Sequence, residues 1–417
     1  MAPSDIDLTP LDKDAYTSSI CQQRQAAIDN VPYRRAIDQW QPNSFEQLID
    51  CIKGLSVNKN EIDQAWIIFY WISQNIRYDT QAYFANNIGS QTPTNVFLTR
   101  KAVCEGYSTL YADLCTHIGL QCRKVSGYAK GYGFNPRQTS FKRTDHAWNI
   151  ISLKNGHSYF IESTWGSGHL NPSTNQYKAK LVPHYFFCRP EHMIYEHLPV
   201  DPQWQLLEHP LTMEQFLKLP YTYHTFFELD LNIVSPVCTQ KVSLEPGQSY
   251  GEVLIETPTN DVELSGSLHD ESNKKIEGGD FLDFDWNRKV WRCRFAPKKA
   301  GNHTILIFGR RKSDEENLTL GSAVEFVFDI DHLPTNPISY PFTYGSFHEA
   351  KCYLFEPLNG VLKPGSKIQF HCRIPGAHEV NLTIDGQWLS GNSASYMSED
   401  YIYQREIQVE QKEVAVW

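Results

Sequence analysis

Three residues of this chain, Cys104, His146 and Glu162, are spaced and set as the parts of a nucleophilic site. Cys104 stands in Lys101-Ala102-Val103-Cys104-Glu105-Gly106-Tyr107, ahead of apolar positions Tyr107, Leu110, Tyr111, Leu114 and Ile118 that recur at helical spacing. The cysteine therefore opens a helix, and Gly119 closes it. A thiol in that position faces unpaired N–H groups and the positive end of the helix dipole, which favour the nucleophilic thiolate. His146 lies in Asp145-His146-Ala147-Trp148-Asn149 and Glu162 in Phe160-Ile161-Glu162-Ser163-Thr164-Trp165. Both words read as strands, and Lys154-Asn155-Gly156 between them is a hairpin signal. Across an antiparallel pair an imidazole and a carboxylate can meet. A carboxylate on an imidazole fixes its tautomer and supports the imidazolium. Taken singly, a cysteine is usually a core residue, a strand histidine a satisfied one and a strand glutamate a solvated one. The ordered combination of helix-opening thiol, strand imidazole and carboxylate one strand on is what points to acyl transfer through a thioester.

Register is the exacting part of this expectation. Residues 146 and 162 face each other directly only if the turn centres on residue 154. A two-residue Asn155-Gly156 turn would pair 146 with 165. A longer loop, a bulge, or a diagonal contact made with glutamate's extra reach is expected instead. The side chain of Asp145 is no substitute, because neighbouring strand residues point to opposite faces. An oxyanion would be met by the Cys104 backbone N–H and an upstream side chain, with Tyr78 and Gln91 the candidates by position.

The elements that must position these groups follow from periodicity. Residues 14–30 and 44–54 read as helices, with Ser44 as an N-cap. The run Trp66-Ile67-Ile68-Phe69-Tyr70-Trp71-Ile72, behind the acidic turn at Glu61 and Asp63, reads as a buried helix. Residues 79–101 read as a loop, and strands follow at 123–128, 146–153 and 157–164. Past about residue 226 short apolar runs separated by Gly, Pro and Asn turns mark antiparallel sandwiches. Asp331 to Pro337 forms a linker, and Leu244-Glu245-Pro246-Gly247 and Leu362-Lys363-Pro364-Gly365 recur ahead of strands as if in two related modules. The expected domains are 1–225, 226–334 and 335–417.

The net charge of −10 argues against nucleic-acid or anionic-membrane partners, which need basic surfaces. Met1 to Asp7 has neither a basic nor an apolar signal-peptide region, so no export signal is expected. No run approaches a membrane span. The ten cysteines are scattered without C-x-x-C spacing, which fits reduced cytoplasmic thiols and gives no reason to expect a metal or other cofactor. The triplets at Asn302, Asn317 and Asn381 read as chance matches to the glycosylation signal.

The words Ala-Val-Cys-Glu-Gly-Tyr, Asp-His-Ala-Trp-Asn and Glu-Ser-Thr-Trp-Gly resemble the transglutaminase-like superfamily, and more narrowly its kyphoscoliosis peptidase and hillarin group. Asn75 to Asp79, Val125 to Gly133, Pro183 to Phe186 and Trp204 to Leu207 carry the same likeness. The resemblance implies an α+β papain-like (transglutaminase-like) core followed by two immunoglobulin-like β-sandwiches. It implies Cys104 as nucleophile, His146 as base and Glu162 as third member, a protein substrate, and a cytoskeletal or other filamentous partner. The chain departs from the family in one place: aspartate is usual where Glu162 stands, so an aspartate substitution there is expected to keep activity. Water as acceptor gives a peptidase or amidase and a lysine amine gives crosslinking. The absence of an Asp-x-Asp-x-Asn-Gly calcium loop argues against a calcium-gated crosslinker. A third reading is a binding scaffold on which catalysis has lapsed.

Overall fold

Helices occupy the first part of the chain where the sequence supplies caps. The computed structural model describes all residues except 1–5, 172–173, 315–318, 385–386, 389–395, 398, 410–413 and 417, so Met1 to Asp5 and Asn317 lie outside the described residues. The chain divides into two compact units, Met1–Leu217 and Lys218–Trp417.

In the first unit, the helix Phe45–Ser56 begins where the Ser44 hydroxyl accepts the Gln47 N–H at 3.2 Å. The helix Glu61–Asn75 begins where Asn60 Oδ1 accepts the Asp63 N–H at 2.8 Å. Its residues Ile67, Ile68 and Phe69 are fully buried, each contributing roughly 1.5–3 kcal/mol. The segment read as one helix over 14–30 is the helix Ser18–Ile28, and a separate helix Val31–Asp38 follows. Asn30 caps that second helix through the Tyr33 N–H at 3.0 Å, with proline in its first turn. The stretch 79–101, read as loop, holds two short helices, Thr80–Phe84 and Pro93–Thr99. Each is too short for periodicity to register. The first is capped by Asp79, and the second starts on a proline, a residue that marks a helix start as readily as a loop. The strands Arg77–Tyr78 and Lys101–Ala102 pair in parallel and close this segment on itself.

The helix Cys104–His117 is tied to Glu61–Asn75 from within. The Tyr107 hydroxyl donates to the Ile76 carbonyl at 3.0 Å and the Tyr111 hydroxyl to that of Ala65 at 3.1 Å. Beside these helices stands a five-stranded antiparallel sheet in the order Phe186–Cys188, Ser158–Ile161, His146–Ser152, Gln121–Ala129, His197–Pro199. Strand alternation sends Ile151, Tyr159 and Ile161 into the helical core, and Val125, Trp148, Ile150 and Phe160 into a second cluster with Cys188 and Met193. Residues 154–156 form the expected hairpin turn, closed by the Leu153 N–H on the His157 carbonyl at 3.0 Å. Gly156 takes the left-handed conformation, φ 87°, that a three-residue turn requires of its last residue.

The second unit is built of antiparallel sheets. Tyr221–Thr222, Gly321–Ile330, Gly301–Arg311 and Val262–Asp270 form one four-stranded sheet. Asn232–Ser235, Gly251–Glu256, Val290–Phe295 and Asp280–Asp285 form a second. Tyr353–Glu356, Lys367–Arg373, Ile402–Gln408 and Tyr396–Met397 form a third, beside a three-stranded sheet containing Leu382–Ile384. The repeated Leu-x-Pro-Gly words each lead into a strand, Gly251–Glu256 and Lys367–Arg373. Past residue 240, Gly345–Glu349 is the one helix among the described residues. One apolar cluster joins Phe281 and Ala296 to Tyr340, Leu354, Phe370 and Tyr403, so packing runs across the segment read as a linker.

Candidate active site

Cys104 is the first residue of its helix, with Val103 in the N-cap position and Glu105 in the first turn. Glu105 pairs with Lys124 of the strand Gln121–Ala129, which clamps the helix start to the sheet. A second clamp is deeper: the buried Asn149 amide donates to the Ser108 carbonyl at 3.0 Å, three residues along from His146. The Cys104 thiol is partly exposed, 3.9 Å from the carbonyl oxygen of Asp145. The thiol also stands close enough to the His146 ring to act on its charge. His146 Nε2 lies 2.8 Å from Glu162 Oε2, with side chains 8% and 0% exposed. The ring nitrogen remote from that carboxylate, Nδ1, is thus the one left for the thiol.

The hairpin ladder runs from Ser152↔Ser158 to Asn149↔Ile161, a register that centres on residue 155. Continued by one step it sets residue 162 opposite 148, not 146. His146 and Glu162 are therefore diagonal neighbours on one face, and the reach of glutamate closes the gap. The other carboxylate oxygen, Oε1, accepts the N–H groups of Thr164 at 2.7 Å and Trp165 at 3.1 Å. On the far side of Ser158–Ile161 the pairing shifts between Phe160 and Ile161, a bulge in which Phe187 takes φ 53°. The Glu162 N–H is then taken by the Tyr185 carbonyl at 3.0 Å.

Burial works against charge on both partners, and their mutual attraction overcomes it. Burial alone would pull His146 down, but Glu162 and Cys104 hold it well above the ordinary histidine value. Burial would raise Glu162, but His146 and then His197 hold it well below the usual carboxylate range. The ring of His146 is walled by Trp148 at 6.1 Å and Trp165 at 5.5 Å between centroids.

Asp145 turns its carboxylate to the Ala129 N–H at 3.0 Å. Gln91 braces the helix start: its Oε1 accepts the Val103 N–H at 3.0 Å and its Nε2 donates to the Gly89 carbonyl at 3.2 Å. Oε1 is committed there, while Nε2 keeps a second N–H beyond the one given to Gly89. Tyr78, registered against Ala102, keeps its phenol protonated through burial and the neighbouring Cys104. Sequence reasoning missed His197. It opens the edge strand His197–Pro199, is fully buried, and brings Nε2 to 3.4 Å from Glu162 Oε2. No spacing rule marks it, because it reaches the site across two intervening strands. One ligand atom from each of His146, Glu162 and His197 lies within 4.8 Å of the others, close enough to share a cation. The direct His146–Glu162 hydrogen bond already occupies that space.

Residues 49–161 match the transglutaminase-like superfamily, and residues 213–341 match the KY-like, immunoglobulin-like domain. The chain thus carries, over residues 49–161, a domain similar to the transglutaminase-like superfamily. The chain is similar to kyphoscoliosis peptidase of Mus musculus and of Homo sapiens, 33% identical to each over 61% of this chain and 37% of the relative. It is 27% identical to hillarin of Drosophila melanogaster over 47% of this chain and 25% of that protein. The chain thus spans 37% of the length of the two peptidases it matches. Among the described residues no helix is long and apolar enough to cross a membrane.

Proposed function

We propose that this chain is a cysteine-dependent acyl-transfer enzyme acting on proteins, with Cys104 as nucleophile, His146 as general base and acid, and Glu162 as the residue that orients and charges His146. The observation that carries the reading is the His146–Glu162 bond at 2.8 Å, with the thiol that opens the helix close enough to the imidazole to act on its charge. His146 takes the thiol proton as sulfur attacks an amide carbonyl, and the Cys104 backbone N–H faces the oxyanion that forms. Collapse gives a thioester, and His146 returns the proton to the departing amine. Water, activated by the same imidazole, then cleaves the thioester, so the net reaction is hydrolysis of a peptide or side-chain amide. The name of the peptidase relatives supports water as acceptor over lysine. We carry forward domains at 1–225, 226–334 and 335–417, a cytoplasmic location, and a cytoskeletal or other filamentous protein partner, on family resemblance.

The test is alkylation of the folded protein with limiting iodoacetamide, mapped by mass spectrometry. Cys104 is expected to label at least ~10-fold faster than the other half-buried thiols, Cys21, Cys51, Cys122 and Cys238. Labelling at or below the rate of those four removes the enzymatic reading. Incubating a glutamine peptide with and without a primary amine separates the acceptors. A gain of about one mass unit is hydrolysis, and amine incorporation is crosslinking.

A further inference from the structure

The Glu162 carboxylate serves two imidazoles, and one of them has no other partner. His197 is fully buried, and neither Nδ1 nor Nε2 has a hydrogen-bond partner of normal geometry. A neutral imidazole carries one N–H, and leaving that donor buried and unmet costs about 1–3 kcal/mol. Nε2 faces Glu162 Oε2 at 3.4 Å, so a shift of a few tenths of an ångström completes a bond there. The ring has little freedom to do otherwise. It packs on Trp165 at 4.4 Å, Trp148 at 5.1 Å and His146 at 5.2 Å between centroids.

Backbone pairing fixes this placement. In the sheet His197 is opposite Ala129, and Gly127 is opposite both Pro199 and His146. Residues 127, 129, 146, 148 and 197 thus share one face. Gly127 leaves the middle of that face open. A Cβ there would lie 2.5 Å from Trp148 Cη2 and 2.2 Å from the Leu198 carbonyl oxygen. The missing side chain is what lets the Trp148 ring and the His197 strand close over the His146–Glu162 pair.

We propose that His197 is a positioning residue: a neutral Nε2–H tautomer that donates to Glu162 Oε2, shares that oxygen with His146, and so sets how strongly the carboxylate holds the His146 proton. The proposal rests on the catalytic reading above. The titratable groups that face His197 are Glu162 and His146, with Glu196 its chain neighbour. One carboxylate cannot support two imidazolium ions in a buried site. His146, at the shorter distance and beside the thiol, takes the charge, and burial with repulsion from His146 keeps His197 neutral, down to about 4. A donor on Oε2 withdraws electron density from the bond to His146. It therefore weakens the hold on the proton that His146 must later give to the leaving amine.

Two measurements test this on the whole chain. Long-range ¹H–¹⁵N spectra of protein labelled in histidine, assigned by loss of the signal in His197→Gln, are expected to show His197 as the neutral Nε2–H tautomer from pH 8 to pH 5. The Nδ1–H tautomer, or an imidazolium at pH 7, overturns the proposal without any variant having to fold. The second is the alkaline limb of the Cys104 alkylation profile, where His146 gives up its proton. His197→Phe, which keeps the ring and removes the donor, is expected to move that limb up by about one pH unit. His197→Gln, whose amide replaces the donor, is expected to restore the wild-type limb. A His197→Phe profile that superimposes on wild type overturns the proposal, as does one that His197→Gln fails to restore. Failure of the parent reading looks different: Cys104 of the wild type would then show no preferential alkylation at all.

Discussion

Changing Glu162 to Gln probes the site at the bond on which the proposed mechanism depends. Oε1 of the glutamine can still accept the Thr164 and Trp165 N–H groups, which hold the present carboxylate at 2.7 and 3.1 Å, so the fold is expected to survive. Its NH₂ then faces His146 Nε2, where a donor would meet a donor. The imidazole answers by moving its proton to Nδ1, the nitrogen that must accept from sulfur. The electrostatic loss follows from the geometry. With the 2.8 Å contact placing the charge centres about 4 Å apart, their attraction at an effective dielectric of about 20 is ~4 kcal/mol, or about three decades in an equilibrium. Discounted for the dipole the amide supplies, alkylation of Cys104 at pH 6 is expected to slow by ~10²–10³. At alkaline pH, where an accessible thiol ionises unaided, the gap is expected to close to within about tenfold. The assay is the second-order rate constant with iodoacetamide from pH 5 to 9, with circular dichroism as the fold control. A folded Glu162→Gln protein whose pH profile overlays that of wild type would refute the relay.

Glu162→Asp, which family resemblance marks as neutral, is expected to lower turnover by ~10²: a shorter carboxylate held by the Thr164 and Trp165 amides falls short of the diagonal His146. Activity equal to wild type in a peptide-cleavage assay would show that the backbone adjusts freely. Gly127→Ala drives a methyl into Trp148 and the Leu198 carbonyl, and a loss of about 1–3 kcal/mol is expected. Calorimetry should then find Tm lower by roughly 2–12 °C, and an unchanged Tm would sink the packing argument. Acid unfolding carries a histidine signature as well. His197 is held down to about 4 when folded, so the unfolded chain binds the extra proton, and stability falls as pH drops from about 6.5 towards 4, by up to ~3 kcal/mol. Glu162, depressed when folded, adds stability above the usual carboxylate range that is lost only as pH falls below it. Urea melts of His197→Gln are expected to be flatter between pH 6.5 and 4, and an acid slope equal to wild type would exclude His197 as its source.

What the sequence discloses here is local. A helix that must open at Cys104 is readable from Tyr107, Leu110, Tyr111 and Leu114, all of which are buried as that period requires. The strand carrying His146 and the turn at Lys154 to Gly156 are readable from alternation and from a glycine that turns left-handed. The helices Val31–Asp38, Thr80–Phe84 and Pro93–Thr99 escaped because each spans too few residues to show a period, and what starts them is a cap or a proline. Register was legible only as alternatives. Which one holds depends on Gly156, and on the bulge opposite Phe160 and Ile161 in a strand that nothing in the hairpin announces.

His197 marks the boundary of that legibility, and it also accounts for the glutamate. In the chain it stands 35 residues past Glu162, at the end of a helix, with no motif around it. Only the pairing of His197–Pro199 with Gln121–Ala129 brings it in, and that pairing is backbone chemistry open to almost any side chain. Once it is in place, the carboxylate at position 162 has four donors to face. Two are backbone N–H groups just ahead in the chain, held at Oε1, and two are imidazoles, His146 from the adjacent strand at 2.8 Å and His197 from the sheet edge at 3.4 Å from Oε2. An aspartate standing at the same backbone position could serve the near pair or the far pair. The extra methylene of Glu162 lets one carboxylate span both. The departure from the family's usual residue therefore reads as an adjustment to a second imidazole and a diagonal register, and the carboxylate on His146 is kept.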